Sequence, residues 1–218
     1  MTTSSKMNEF EPKWPAGLYL ISDMAMMESG RFLPFLEEAL REGLRIVQLR
    51  AKTMSTAAKI RIGREMRKMT QAAGAVFIVN DDVDLLLELD ADGLHLGQDD
   101  MDPSEARLRM GPEKWIGWST HNLDQVRAAN ALPIDYIGFG PIFSTQTKEN
   151  PDPETGLEML ALAAGESNYP IVAIGGIELE KVDAVLDAGA HNVAIISAIS
   201  RQPDPLKACR LFLDRCKR

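Results

Sequence analysis

Short apolar runs and longer amphipathic stretches alternate along the chain from residue 17 onward. A short apolar run between polar residues is typical of a strand buried on both faces, whereas apolar positions recurring every three or four residues are typical of a helix on a core. The pattern predicts eight strands, which begin near residues 17, 45, 75, 93, 115, 135, 170 and 192. A helical pattern follows each strand, and the longest covers residues 56–73.

The order strand, helix, strand, helix requires parallel strands joined by right-handed crossovers. Eight units of about 25 residues each are at the small end of the range for an α/β (β/α)8 TIM barrel. An open doubly wound sheet is the alternative, but it normally uses fewer strands and leaves edges. We therefore predict one TIM-barrel domain over residues 16–218, after a disordered tail over residues 1–15 that lacks apolar periodicity.

The second predicted strand carries cations toward the end of the barrel where TIM barrels build their sites. Side chains in VQLRAK alternate between two faces, so Gln48, Arg50 and Lys52 share one of them. Leu49 and Ala51 lie on the other face, toward the helices. For a lone Arg and Lys the alternative is an exposed strand end. At the barrel mouth, the two positive charges indicate an anionic ligand.

Two acidic turns follow the third and fourth strands. The first begins with Asn80 and Asp81, and the second contains Gln98, Asp99 and Asp100. Either turn alone is explained by helix capping, for which Asn and Asp are favoured. Together, opposite the cations, they supply the oxygen ligands of a Mg²⁺ ion shared with a phosphorylated substrate, which needs only one or two protein carboxylates. We predict Asp81 and Asp100 as these ligands.

The fifth and sixth strands also end in polar groups. Ser119 and His121 follow the fifth strand, and Thr145, Thr147 and Lys148 lie in a long polar loop after the sixth. Loops of this length are often lids or binding loops, although two prolines and disorder are an alternative explanation.

A second anion site is predicted after the last two strands. The seventh strand ends in Gly175 and Gly176, and the eighth ends in Ile196 and Ser197. Many TIM barrels hold a phosphate on backbone N–H groups at this place. A glycine pair alone indicates only a tight turn, so the position on the barrel carries the argument.

The composition limits the classes of partner that the protein can bind. The net charge of −8 and the pI near 5.0 argue against nucleic acid as a partner. No apolar run approaches the roughly 20 residues of a membrane span, and the first residues lack the apolar segment of a signal peptide. We expect a cytoplasmic protein with small-molecule partners, and a homo-oligomer is compatible with the sequence. Cys209 and Cys216 are expected to be reduced, because seven helical residues separate them by about 10 Å.

The chain resembles the thiamine phosphate synthase family, also called thiamine-phosphate pyrophosphorylase. The matching motifs follow the order of the family from Tyr19 to Ile199, nearly the whole chain. They are YLISD at 19, VQLRAK at 47, VNDDVDL at 79, ADGLHLGQDDM at 91, IGWSTH at 116, DYIGFGPIFSTQTK at 135, IVAIGGI at 171 and AIISAI at 194.

The resemblance implies a Mg²⁺-dependent transferase that joins hydroxymethylpyrimidine diphosphate to a thiazole phosphate, giving thiamine monophosphate and pyrophosphate. Its implied mechanism is dissociative, through a pyrimidine-methyl cation. The implied pyrimidine diphosphate ligands are Gln48, Leu49, Arg50, Ala51, Lys52, Asn80, Ser119 and Lys148. The implied thiazole phosphate ligands are Thr145, Gln146, Thr147, Gly176, Ile196 and Ser197. Among these residues, Arg50, Lys52 and Lys148 would stabilise the departing diphosphate, while Asp81 and Asp100 would hold Mg²⁺.

Ser22, Ala51 and Ser144 depart from the pattern of the family, and we expect none of them to contact an assigned charge. Three competing functions remain open at this point. A thiazole tautomerase of the same superfamily would use His121 for proton transfer. A non-catalytic sensor of thiamine intermediates would bind without turnover. A sugar-phosphate isomerase or epimerase would share the second anion site but would leave the predicted Mg²⁺ ligands unexplained.

Overall fold

The computed structural model describes residues 14–144 and 153–217. In this part of the chain, eight parallel strands pair in chain order, and the last pairs with the first to close a barrel. The strands are β1 (Gly17–Ile21), β2 (Ile46–Leu49), β3 (Val76–Asn80), β4 (Gly93–Leu96), β5 (Trp115–Thr120), β6 (Tyr136–Phe139), β7 (Ile171–Ile174) and β8 (Asn192–Ile195). The predicted (β/α)8 TIM barrel is confirmed, and the open sheet is excluded.

Every predicted strand is followed by at least one helix in the described residues. The helices are α1 (Met24–Glu28), α2 (Phe32–Arg41), α3 (Thr56–Ala73), α4 (Val83–Leu89), α5 (Pro103–Met110), α6 (Leu123–Ala129), α7 (Gly156–Glu166), α8 (Val182–Asp187), α9 (Ser197–Ser200) and α10 (Pro205–Cys216), with a 3₁₀ turn over Leu179–Lys181. The pattern missed α1 and α9, because helices of five and four residues are too short to show a helical period.

Polar caps set the helix boundaries. The Ser55 side chain accepts a hydrogen bond from the Ala58 N–H at the start of α3, and Gly74 ends that helix with φ of 61°. Asp82 caps α4 in the same way, and Asp102 caps α5. Two acids of the acidic turns therefore have purely structural partners.

Alternation along the strands divides the core into an interior and an outer layer. Residues such as Tyr19, Ile46 and Ile78 point into the barrel and pack against one another. Their neighbours in sequence, such as Leu20 and Val47, point outward into the layer between strands and helices. Each strand thus buries both faces, which explains its nearly continuous apolar sequence.

Glycines on neighbouring strands make room for large rings in the barrel interior. A Cβ atom on Gly117 would lie 2.1 Å from Cζ of Tyr136 and 2.4 Å from Nδ1 of His95. A Cβ atom on Gly93 would lie 2.7 Å from Cβ of Trp115. The interior accommodates these side chains because the adjacent positions have none.

Trp14 closes the amino end of the barrel. Its ring stacks on Tyr136 with centroids 4.2 Å apart and meets Trp115 edge-on at 5.4 Å. Its Nε1–H donates to Oδ1 of Asn192 at 2.8 Å, and Nδ2 of Asn192 donates to the Pro15 carbonyl at 2.8 Å. The tail predicted over residues 1–15 is therefore corrected at its last two residues, which are packed; residues 1–13 lie outside the described part.

Cys209 and Cys216 are not joined by a disulfide. Burial raises the pKa of the Cys209 thiol to about 12, so this thiol stays protonated. In residues 14–144 and 153–217, no helix is both long enough and apolar enough to cross a membrane.

Gly117→Ala is expected to lower the free energy of unfolding by about 2 kcal/mol, because the added methyl group would overlap the Tyr136 ring. Gly165→Ala in α7 is the matched control, since nothing lies within 4 Å of the added Cβ. We expect it to be neutral or to stabilise the protein by up to about 1 kcal/mol. Urea denaturation measures both variants, and equal stabilities would contradict the close packing at Gly117.

Candidate active site

A cavity of about 500 Å³ opens at the carboxyl ends of the strands. Its walls include residues from every strand end that the sequence pointed to. The predicted site residues that line it are Gln48, Arg50, Lys52, Asn80, Asp81, Asp100, Ser119, Gly176, Ile196 and Ser197. The structure thus gathers them around one space.

Leu49 and Ala51 do not line this cavity. Strand alternation turns both side chains outward, into the apolar layer beneath the helices. Their predicted place in the pyrimidine site is corrected to this layer, so they contribute no side chain to the cavity. The predicted residues Thr145, Gln146, Thr147 and Lys148 lie outside the described residues.

Ser22 fixes the backbone that carries Arg50. Its buried hydroxyl accepts a hydrogen bond from the Arg50 N–H at 2.8 Å and lies 3.3 Å from the Arg50 carbonyl, to which it donates. In sequence, Ser22 stands out only as a departure from the family pattern. The structure shows that it ties the end of β1 to the residue that presents the guanidinium.

Asp81 and Asp100, the carboxylate pair, lie within hydrogen-bond distance of each other at the cavity mouth. Burial, and after it the neighbouring Asp100, raise the pKa of Asp81 to about 6. Lys52 opposes this rise, since its Nζ is 3.6 Å from Oδ2 of Asp81, and Arg50 opposes it from farther away. The pair concentrates negative charge beside two cations.

Local backbone geometry holds the carboxylate pair in place. Asp81 adopts the left-handed conformation with φ of 64°, and its N–H donates to the His95 carbonyl at 2.9 Å. Oδ2 of Asp100 accepts from the Gly97 N–H at 2.7 Å. A non-glycine residue with positive φ is uncommon, and strain of this kind concentrates at functional sites.

The other acids of the two turns have different partners. Asp82 and Asp102 cap helices, as described above, and Asp84 forms an ion pair with Arg109. Capping and this ion pair therefore account for Asp82, Asp102 and Asp84, whereas the carboxylate pair and Asp99 line the cavity. Two adjacent carboxylates whose repulsion is only partly offset by Lys52 suit a divalent cation that takes its remaining ligands from water and phosphate.

The opposite wall is formed by the ends of β7 and β8. Gly175 and Gly176 have φ of 102° and 62°. A Cβ atom on Gly176 would lie 2.3 Å from the Ser144 carbonyl oxygen, so glycine lets this turn approach the loop after β6. Beside it, Ile196 precedes α9, whose first turn begins at Ser197. The backbone N–H groups of such a turn are suited to an anion.

His121 lines the cavity at the end of β5. Its Nδ1 lies 2.6 Å from the Gly140 carbonyl oxygen, which can only accept, so Nδ1 carries the proton. Its backbone N–H donates to Oε1 of Gln125 at 2.7 Å. The Nδ1 contact thus orients the ring.

The sequence analysis missed three polar side chains beneath the mouth: Tyr19, Tyr136 and His95. With Gln48 and Ser119 they form a continuous series of hydrogen bonds, which we name the interior chain. The alternation rule places all three rings inside the barrel, and this signal could have found them. Burial lowers the pKa of His95 to about 4, so its imidazole is neutral at pH 7.

Comparison with known proteins identifies similar sequences over most of the chain. The sequence model of the family described as thiamine monophosphate synthase matches residues 18–199. The chain is 43% identical over 192 residues to a thiamine biosynthesis bifunctional protein of Geobacter sulfurreducens, a match that covers 88% of this chain and 38% of that protein. A thiamine-phosphate synthase of Azorhizobium caulinodans is 37% identical over 193 residues, with 88% and 91% covered.

The fold is also shared with a solved structure, the thiamine phosphate pyrophosphorylase from Pyrococcus furiosus. The two chains superpose with a TM-score of 0.83 at 32% identity, covering 92% of this chain and 95% of that one. The chain spans 38% to 57% of the length of several curated relatives that it matches.

Asp81→Asn is expected to stabilise the protein at pH 8 in EDTA by on the order of 1 kcal/mol, because it removes repulsion within the carboxylate pair. When folding raises the pKa of a carboxyl group, proton binding to that group stabilises the folded protein at pH values below the unfolded pKa. This stabilisation is lost as the pH rises through the folded pKa. For Asp81 the stabilisation is lost between pH 3.8, the ordinary pKa of the group, and about pH 6, its pKa in the folded protein. The advantage of Asp81→Asn should therefore disappear by about pH 4.

Thermal denaturation at several pH values measures this difference. Asparagine tolerates the left-handed backbone of position 81, so the substitution tests charge rather than conformation. Glu113→Gln, which neutralises an exposed carboxylate that does not line the cavity, is the control and should have no effect. An advantage of equal size at pH 4 and pH 8 would contradict the proposed repulsion.

Proposed function

The chain belongs to the thiamine monophosphate synthase family, and on that premise we propose that it joins 4-amino-2-methyl-5-hydroxymethylpyrimidine diphosphate to 4-methyl-5-(2-hydroxyethyl)thiazole phosphate. The products are thiamine monophosphate and pyrophosphate. The observation that carries the proposal is a single cavity with the carboxylate pair and two cations on one wall and a glycine turn on the other. Two anionic substrates need such separate sites around a common space.

The diphosphate is proposed to bind beside β2 and β3. Arg50 and Lys52 follow the end of β2 and line the mouth of the cavity, next to Asn80 and the carboxylate pair. Asp81 and Asp100 would hold Mg²⁺, which when bound supplies positive charge to the diphosphate oxygens. Lys148, which lies outside the described residues, is proposed as a third cation on the same group.

The reaction breaks the bond between the pyrimidine methylene carbon and the diphosphate oxygen, and the electron pair leaves with the diphosphate. The lone pair of the thiazole nitrogen then forms the new bond to that carbon. Arg50 and Lys52 stabilise the negative charge that develops on the leaving group. No proton is transferred in these two steps, so no general base is required.

The thiazole phosphate is proposed to bind at the opposite wall, on Gly176 and the backbone of Ile196 and Ser197. Thr145, Gln146 and Thr147 are proposed to complete this site from the loop after β6. Gln48 and Ser119 would orient the pyrimidine between the two anion sites. The closed floor of the barrel would limit the access of water to the pyrimidine-methyl cation.

Turnover by the purified protein tests the proposed reaction directly. With both substrates and Mg²⁺, thiamine monophosphate and pyrophosphate should appear in equal amounts, and EDTA should abolish both. Turnover of a thiazole carboxylate phosphate without pyrimidine substrate would instead favour the tautomerase. Tight binding of thiazole phosphate with no product would favour the sensor.

Arg50→Ala is expected to lower kcat/KM by about 100-fold or more, because it removes a charge that acts on the leaving group. Arg50→Lys should recover part of this loss, since it restores the charge without the planar fork of donors. Arg64→Ala on α3, whose partner Glu88 lies on the outer surface, is the control and should retain full activity. An Arg50→Ala enzyme with unchanged kcat/KM would refute the assigned role.

A further inference from the structure

The interior chain runs across the barrel from β2 to β5 beneath the proposed pyrimidine site. Nε2 of Gln48 donates to the Tyr19 hydroxyl at 2.8 Å, and the hydroxyls of Tyr19 and Tyr136 are 3.0 Å apart. The Tyr136 hydroxyl lies 3.1 Å from Nδ1 of His95, and Nε2 of His95 lies 3.0 Å from Oγ of Ser119. Both ends of the chain line the cavity.

We propose that His95, Tyr136 and Tyr19 are positioning residues that fix Ser119 as a hydrogen-bond donor toward the substrate. The proposal rests on the proposed function and extends it to the recognition of the aminopyrimidine ring. It assigns His95 the tautomer with the proton on Nε2.

The direction of the chain follows from the orientation of the Gln48 amide, whose Nε2 faces the Tyr19 hydroxyl. Because the Tyr19 oxygen accepts from Gln48, its own hydrogen must go to Tyr136, the other neighbour in the chain. The Tyr136 hydrogen then goes to Nδ1 of His95, and the remaining imidazole N–H donates to Ser119. Ser119 accepts this bond, so its own hydrogen is available to the cavity.

The reverse direction requires the Gln48 amide to be turned over. If Ser119 donated to His95, the Tyr136 hydroxyl would donate to Tyr19, and the Tyr19 hydroxyl would donate to Oε1 of Gln48 instead of accepting from Nε2. The structure has Nε2 of Gln48 at Tyr19, and with this orientation of the amide the forward direction satisfies every member.

Close packing restrains the His95 ring. Its ring stacks on Tyr136 with centroids 5.5 Å apart. A Cβ atom on Gly117 would lie 2.4 Å from Nδ1 of the imidazole, and one on Gly138 would lie 3.1 Å from its Cε1. The backbones of these two strands therefore flank the ring closely. Such restraint is what preorganises a hydrogen-bonding group before the substrate arrives.

The fixed direction specifies the chemistry that the cavity recognises. Ser119 offers a donor, which suits a ring nitrogen that accepts. Gln48 spends an N–H on Tyr19, which orients its carbonyl oxygen Oε1 as the acceptor for an exocyclic amino group. An aminopyrimidine carries both complementary groups, whereas the thiazole has no amino group to match.

Long-range ¹H–¹⁵N NMR on the free protein at pH 7 tests the tautomer without any substrate. The chain has three histidines, and the His95→Gln variant identifies the signals of His95 by their loss. We expect the proton on Nε2 and an unprotonated Nδ1. A proton on Nδ1 would overturn the proposal, whatever the enzyme activity proves to be.

Tyr136→Phe tests the consequence for binding, because it removes one link and keeps the ring that stacks on Trp14. KM for the pyrimidine diphosphate should rise about tenfold, while KM for the thiazole phosphate stays unchanged. Tyr169→Phe is the matched control: it also removes a tyrosine hydrogen bond, to the Leu132 carbonyl at 2.7 Å, but outside the cavity. Its two KM values should match those of the wild type.

A purely structural role for Tyr136 predicts lower thermal stability in both variants with no selective change in KM, and this result would overturn the proposal. His95→Gln provides a rescue test, since its amide can place an N–H near the position of Nε2, whereas His95→Asn cannot reach it. We expect His95→Gln to retain the lower KM for the pyrimidine substrate. If the wild type shows no turnover, the proposed function fails, while the NMR result still decides the direction of the chain.

Discussion

Closure of eight parallel strands is the constraint on which the other features of this protein depend. Once β8 pairs with β1, every second residue of each strand must fit inside a space of fixed width. The interior can hold rings as large as Tyr136 and Trp115 only because Gly93 and Gly117 vacate adjacent positions. The same alternation delivers Gln48, Arg50 and Lys52 to one mouth, so the packing and the chemistry have a common geometric origin.

The acids at the carboxyl ends of β3 and β4 differ in whether they stabilise the fold. Capping acids such as Asp82 lower the free energy of the helices that they begin. Asp81 and Asp100 instead repel each other, and burial adds to the cost of their charge. Native proteins tolerate local conflict of this kind where a ligand relieves it. This repulsion, more than the number of acids, distinguishes the carboxylate pair from its neighbours.

Alternation and the order of elements were sufficient to predict the barrel and the inward face of β2. The same rule placed Leu49 and Ala51 outside, and the structure agrees with that rule rather than with their place in the family motif. The sequence could not predict which acids cap helices, because Asp81 and Asp82 differ only in backbone conformation. Nor could it predict the link from His95 to Tyr136, which depends on registers across three strands.

The packing of Trp14 over Tyr136 ties the segment before the first strand to the floor of the barrel. Trp14 donates to Asn192 at the start of β8, and Asn192 in turn donates to the Pro15 carbonyl. Because β8 pairs with β1, these bonds lie at the seam where the first and last strands meet. Residues that precede the barrel in sequence thus help to fasten the joint that closes it.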